Sequence, residues 1–320
     1  MKLITEVSLS PCPFRMDLRS PVLLTGSCFT QNIGSMLERY LFPVCINPFG
    51  VTYNPLSVKK GLEALVNREA YSEKDLDQYN DLWFSFDHYT GFSSPVREKA
   101  LKGINGSFLE AKEFMHRARY LVITWGTAWI YRYKPTGEIV CNCHKIPASR
   151  FIRSRLTTEQ ILQEYRLILP LIFEHNPDLK IILTVSPVRH WKDGAHGNQL
   201  SKSILLLAID ELVSLFPEEL YYFPSYEIVM DELRDYRFYE RDMLHTNALA
   251  TRYIWEKFID VMLSGESRKI IQDLEPLLNL IEHRPLKTEG EAFRKMIINR
   301  DRKLREMKER YPFLAWQNLK

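Results

Sequence analysis

Four short apolar runs, each cut off by a glycine or a proline-containing turn, constrain this chain more than any other feature. Residues 21–25 stop at Gly26, and residues 44–46 run into Asn47-Pro48-Phe49-Gly50. Residues 120–124 stop near Gly126, and residues 180–185 close on Ser186-Pro187. Such runs are too short for helices and read as strands buried in a sheet. Between them lie stretches of helical period: residues 29–42 place Ile33, Met36, Leu37, Tyr40 and Leu41 along one stripe. Pro55 opens another helix to about residue 67, a third ends near residue 118, and a fourth covers residues 158–175. A helix over 200–215, a short strand over 220–223 and a helix over 247–262 complete the series. Strands alternating with helices predict βαβ units and a mainly parallel sheet covered on both faces, a three-layer α/β sandwich.

The remaining segments decorate that plan. Residues 129–147 read as a hairpin turning at Lys134-Pro135-Thr136-Gly137. The aromatic stretch from Trp83 to Phe92 reads as core or lid. From about residue 264 the chain is charged and helical in period, so the expected division is a domain over 1–262 and a helical appendage over 263–320. A chain of 320 residues with 45% apolar content suffices for one large α/β core. Lys+Arg (43) and Asp+Glu (40) nearly cancel, which gives no electrostatic reason to expect nucleic acid or an acidic membrane as partner. No run reaches the roughly 18 apolar residues of a membrane span. The first 21 residues lack a secretory apolar core, and five irregularly spaced cysteines make no disulfide framework, so a reducing cytoplasm is the expected location.

Ligands of open α/β sheets bind beyond the carboxyl ends of the strands. Thr25-Gly26-Ser27-Cys28, Asn47-Pro48-Phe49-Gly50 and Trp125-Gly126-Thr127-Ala128 occupy such ends, and Asp242-Met243-Leu244-His245 precedes the last domain helix. A glycine that turns the chain off a strand into a helix leaves the next side chains at the positive end of the helix dipole, where a thiolate is favoured. A carboxylate three residues before a histidine can fix the imidazole tautomer and support a general base. A nucleophile early in the chain with a base near its end is the logic of covalent acyl transfer.

These four segments resemble the blocks of SGNH/GDSL-type hydrolases. Gly26-Ser27-Cys28-Phe29-Thr30 stands against a G-D-S-L-T motif, Asn47–Gly50 and Gly126–Ala128 against the middle turns, and Asp242–His245 against D-x-x-H. The chain more closely resembles the GSCFA family through Gly26-Ser27-Cys28-Phe29, with Thr30 in place of the alanine. Further matches are Asn142-Cys143-His144-Lys145, Ser186-Pro187-Val188 and Phe223-Pro224-Ser225-Tyr226. The resemblance covers about residues 20–262. Matching glycine to glycine and threonine to threonine puts Cys28 at the nucleophile position, while a slip of one residue restores a serine, Ser27, and loses both matches.

The resemblance implies an esterase or acyltransferase, without cofactor or metal, acting on a small acyl ester, thioester or acylated sugar. Cys28 or Ser27 would attack, His245 would act as base and Asp242 would orient it. Gly50, Gly126 and Thr127 would hold the oxyanion, and Asn47, Asn142 and His144 would contact substrate. Ala128 stands where the superfamily has its oxyanion asparagine, a loss of about a hundredfold or more in rate unless another donor substitutes. That departure keeps open a second expectation, a non-catalytic carbohydrate or small-molecule binding module on the same scaffold. Cys141-x-Cys143-His144 has the residue types of a metal site but only one cysteine pair, on what reads as a strand. Alternation there would put Cys141 and Cys143 on one face and Asn142 and His144 on the other. His190 and His196 flank a polar loop after the 180–185 strand, where either could line the cleft.

Overall fold

The four apolar runs and the short strand near residue 220 pair side by side. In the computed structural model, which describes residues 5–285 and 288–319, they are β1 (Val22–Gly26), β2 (Val44–Ile46), and three further strands of one sheet. In chain order α1 (Cys28–Arg39) follows β1, and α2 (Pro55–Asn67) follows β2. A small hairpin, β3 (Asp77–Tyr79) with β4 (Leu82–Phe84), precedes α3 (Arg97–Arg117) and β5 (Tyr120–Trp125). Next come β6 (Trp129–Tyr133), β7 (Ile139–Val140), β8 (Phe151–Arg155) and α4 (Thr158–His175). Then follow β9 (Lys180–Val185), α5 (Gly194–Leu215), β10 (Leu220–Tyr222) and a one-turn α6 (Ser225–Glu227). The chain ends with α7 (Ala248–Met262), α8 (Gly265–Glu282) and α9 (Glu291–Arg310).

The main sheet runs β10-β9-β5-β1-β2 with every pairing parallel. Alternate side chains feed two separate cores. Leu23, Leu121, Ile123, Ile181 and Leu183 pack against α2 to α5, while Val22, Leu24, Val122 and Ile182 pack against α1, α7 and α8. A strand with both faces buried has no polar face to show, which is why these segments read as unbroken apolar runs. Each buried aliphatic side chain contributes about 1.5–3 kcal/mol. The expected three-layer α/β sandwich is therefore the observed architecture.

This strand order reverses direction between β1 and β5, because β2 lies on one side of β1 and all later strands on the other. Such a switch point opens a crevice at the carboxyl ends of its two strands. Gly26 ends β1 at φ +139°, and a Cβ there would sit 2.2 Å from the Thr124 carbonyl oxygen. Gly26→Ala is therefore expected to lower stability by about 3 kcal/mol or to prevent folding, read by denaturant unfolding.

The 129–147 hairpin exists as β6 and β7, but β8 adds a third antiparallel strand on the other edge of β6. Its charged, half-exposed pattern hid it from the sequence. The strand of β7 ends at Val140, and Asn142 then makes a turn by accepting the His144 amide at 2.8 Å, with His144 at φ 47°. The alternation expected over residues 141–144 is therefore absent.

The helical appendage packs on the α1 side. Ile270, Ile271, Leu274 and Leu278 of α8 share one apolar cluster with Ile33 and Leu37 of α1 and Trp255 of α7. Arg39, at the end of α1, bonds Glu275 at 3.1 Å and Glu282 at 2.6 Å. No residue of α9 is buried, yet Tyr311 and Leu314 beyond it return to the same cluster. The proposed division after residue 262 falls between helices that share this core. Among the described residues no helix is long and apolar enough to cross a membrane.

Candidate functional site

The crevice at the switch point is a cavity of about 400 Å³ lined by Ser27, Cys28, Tyr53, Asn54, His190 and His245 among others. The two distant segments singled out by sequence, the loop after β1 and the turn before α7, thus converge on one hollow. A wider cleft of about 910 Å³ lies between α1, α7 and α8, around the paired Arg39 and Glu275. It contains no cysteine or histidine and lies away from the strand ends.

Ser27 and Cys28 divide the roles of helix entrance. Ser27 is the N-cap of α1, 1% exposed, and its Oγ accepts the Phe29 amide at 3.3 Å. Cys28 is the first helical residue and half-buried. Burial pushes its thiol pKa up, while the amides of Phe29 and Cys28 itself and the nearby Lys202 pull it down. The thiol, not the serine hydroxyl, is the group left facing the cavity without a capping duty.

His245 and Asp242 meet across one tight turn. Met243 takes a left-handed φ of 58°, which brings the amides of Leu244 and His245 onto Asp242 Oδ1 at 2.9 Å each. Asp242 Oδ2 pairs with His245 Nδ1 at 2.5 Å. Those bonds, the His245 amide first and its ring next, hold the Asp242 carboxyl at about 2. With Nδ1 held, the other ring nitrogen is the one available for proton transfer. The pair is about half exposed, and among the described residues neither Cys28 nor Ser27 hydrogen-bonds the ring.

The oxyanion expectation needs correction. The Gly50 amide donates to Asn47 O at 2.7 Å inside its own turn, and Gly50 faces Tyr89. The amides of Gly126 and Thr127 both donate to Tyr53 O, at 2.7 and 2.9 Å. Ala128 is fully buried, and its amide donates to Ser201 Oγ at 2.7 Å. None of these amides is free to receive an oxyanion. The substrate-contact expectation also divides. Asn142 lines the cavity, but Asn47 Oδ1 accepts the Gly26 amide at 2.9 Å and so shapes the β1 turn instead. His144 is buried, stacks on Phe84 with centroids 4.1 Å apart, and bonds Ser85 O at 3.0 Å through Nε2. Burial holds it at about 4, a neutral ring behind the wall. Cys143 reaches the cavity, the Cys141 thiol meets Val51 O at 4.0 Å, and no three metal-ligating side chains gather among the described residues.

His190 and His196 part company. His196 is exposed on the first turn of α5, while His190 lines the cavity with its Nε2 beside Gly126. Burial, with Lys202 adding to it, lowers His190 to about 4. A neutral imidazole can donate from one nitrogen and accept at the other.

Sequence reasoning missed Lys202. This lysine is fully buried, and its Nζ donates to Gly126 O at 2.7 Å and Ser186 O at 2.6 Å, tying the ends of β5 and β9. Burial pushes it down to about 7, opposed by the Cys28 thiol. The signal was present: Lys202 lies on the stripe of α5 that carries Leu205, Ile209 and Leu212 into the core. A charge on such a stripe is rare without a function or a partner.

The GSCFA family model matches residues 21–258 of the chain. The chain belongs to the GSCFA family. No curated protein is detectably similar to this GSCFA chain in sequence. Among solved structures it is similar to a carbohydrate esterase family 3 protein from Talaromyces cellulolyticus, at 9% identity and a TM-score of 0.35. That match covers 80% of this chain and 99% of the other. It is also similar to the acetyl xylan esterase Est2A from the rumen bacterium Butyrivibrio proteoclasticus, at 11% identity and a TM-score of 0.33. There 75% of this chain and 63% of the other are covered. Likenesses of that degree say nothing about substrate.

Proposed function

We propose that this GSCFA protein is an esterase or acyltransferase that works through a covalent acyl-cysteine. The observation that carries this reading is the sharing of one cavity by the Cys28 thiol and the Asp242-oriented His245. His245 takes the thiol proton as Cys28 attacks an ester or thioester carbonyl, then returns it to the leaving group. Water or a sugar-like hydroxyl resolves the acyl-enzyme. The Cys28 amide, which faces its own thiol, and the neutral His190 ring supply the oxyanion donors that Ala128 lacks.

The test is a panel of short acyl esters and thioesters with intact-mass detection of an acyl adduct. Wild type is expected to turn over at least one of them, and His245→Ala to be inactive. Asp242→Asn is expected to lower kcat about a hundredfold or more, because the ring loses its tautomer lock. No adduct and no turnover across the panel would overturn the proposal.

A second reading, a binding module on the same scaffold, is favoured by the engagement of the Gly50, Gly126, Thr127 and Ala128 amides. Because Ala128 is buried outside the cavity, an asparagine there would not restore a donor. The adduct experiment is what separates the two.

A further inference from the structure

We infer that the cavity binds a substrate carrying an anionic oxygen group, carboxylate or phosphate, and that Arg189 is its anchor. The inference names the ligand class of the site above and rests on that reading. Arg189 stands where the cavity meets a neighbouring groove of about 490 Å³, lining both. It is partly buried, its Nε has no partner, and among the described residues no carboxylate pairs with it. Its guanidinium lies only over the Trp191 ring, 5.0 Å from the centroid.

The surrounding charges do not neutralise it. Asp193 is bonded to Arg153, while Asp242 orients His245 without losing its own charge. In the groove, Asp235 pairs with Arg237 at 2.7 Å, and Arg234 pairs with Asp231 at 2.9 Å. Lys192, on the cavity wall, meets only the Tyr131 hydroxyl at 3.1 Å. Arg189 and Lys192 together outnumber the Asp242 carboxylate, so the excess is positive. A partly buried guanidinium lacking a counter-ion is a strong site for two anionic oxygens, which it grips with parallel donors. Beyond it the groove offers Tyr236, Tyr239, Met230 and Met243, apolar surface for the rest of the ligand.

Calorimetric binding to the full chain tests this without requiring turnover. The probes are two matched pairs, glucose with glucuronate and pantetheine with 4′-phosphopantetheine. In wild type at low salt, the anionic member of at least one pair is expected to bind about tenfold or more tighter than its neutral twin. The pair that responds tells carboxylate from phosphate. Arg189→Gln is expected to erase that preference, and Arg189→Lys to keep part of it. Equal binding within both pairs, or no measurable binding, overturns the inference, as does a preference that persists in Arg189→Gln. Should the Gln variant fail to fold, the wild-type ratios and the Lys variant still decide. A clear preference without any acyl adduct would keep the anion site and remove the catalytic reading.

Discussion

Cys28→Ala is expected to abolish the acyl adduct and lower turnover by about a thousandfold or more, while Ser27→Ala keeps the adduct. The two side chains are adjacent, but their surroundings assign them different work. Ser27 caps α1 and is sealed from solvent, so its loss costs about 1 kcal/mol of helix capping. Cys28 caps nothing, and its loss leaves a small change in stability with the chemistry gone. Unfolding curves and initial rates measured on both variants separate the effects: stability falls in one, turnover in the other. An adduct that survives in Cys28→Ala would transfer the nucleophile role to Ser27.

Lys202→Met is expected to change how stability depends on pH. Burial lowers Lys202 from 10.5 to about 7 in the folded protein. Between those two values the unfolded chain holds the proton more often than the folded one, so wild-type stability rises with pH. The slope is about 1.4 kcal/mol per pH unit, and the full burden of about 4 to 5 kcal/mol is present below pH 7. The Met variant lacks this contribution. Its stability relative to wild type is therefore expected to be about 2 to 3 kcal/mol more favourable at pH 6 than at pH 9. The carbonyls of Gly126 and Ser186 lose their donor, at about 1–3 kcal/mol each, but that offset does not vary with pH. Urea unfolding of both proteins at the two pH values measures the difference, and an unchanged gap would show that Lys202 is not held neutral by burial.

The sheet was legible because parallel strands buried on both faces must be continuously apolar. The runs at 44–46 and 180–185 coincide with β2 and β9, and that at 120–124 falls one residue short of β5. Asn247, read as the first residue of the last domain helix, is its cap. The strand β8 escaped because Arg153 and Arg155 give it a polar, edge-like pattern. Within the site, residue order picked out Cys28 and His245, which line one cavity, and Asp242, which pairs with His245, but not which amides are free. That depends on Tyr53 O, which takes both the Gly126 and Thr127 amides from a loop distant in sequence. Nor could spacing show that His144 turns away into aromatic packing while His190 turns inward. Side-chain direction off a left-handed turn is fixed by packing, not by composition.

The clasp between α1 and α8 carries a lesson for any shortened form of this protein. The helix that presents Cys28 at its first turn is anchored at its last by Arg39, gripped by Glu275 and Glu282. A chain cut at the end of the family match would leave that arginine without its acidic partners. It would also leave the outer flank of Ile33 and Leu37 open to water. The segment that reads in sequence as a mere tail is the brace behind the helix that carries Cys28.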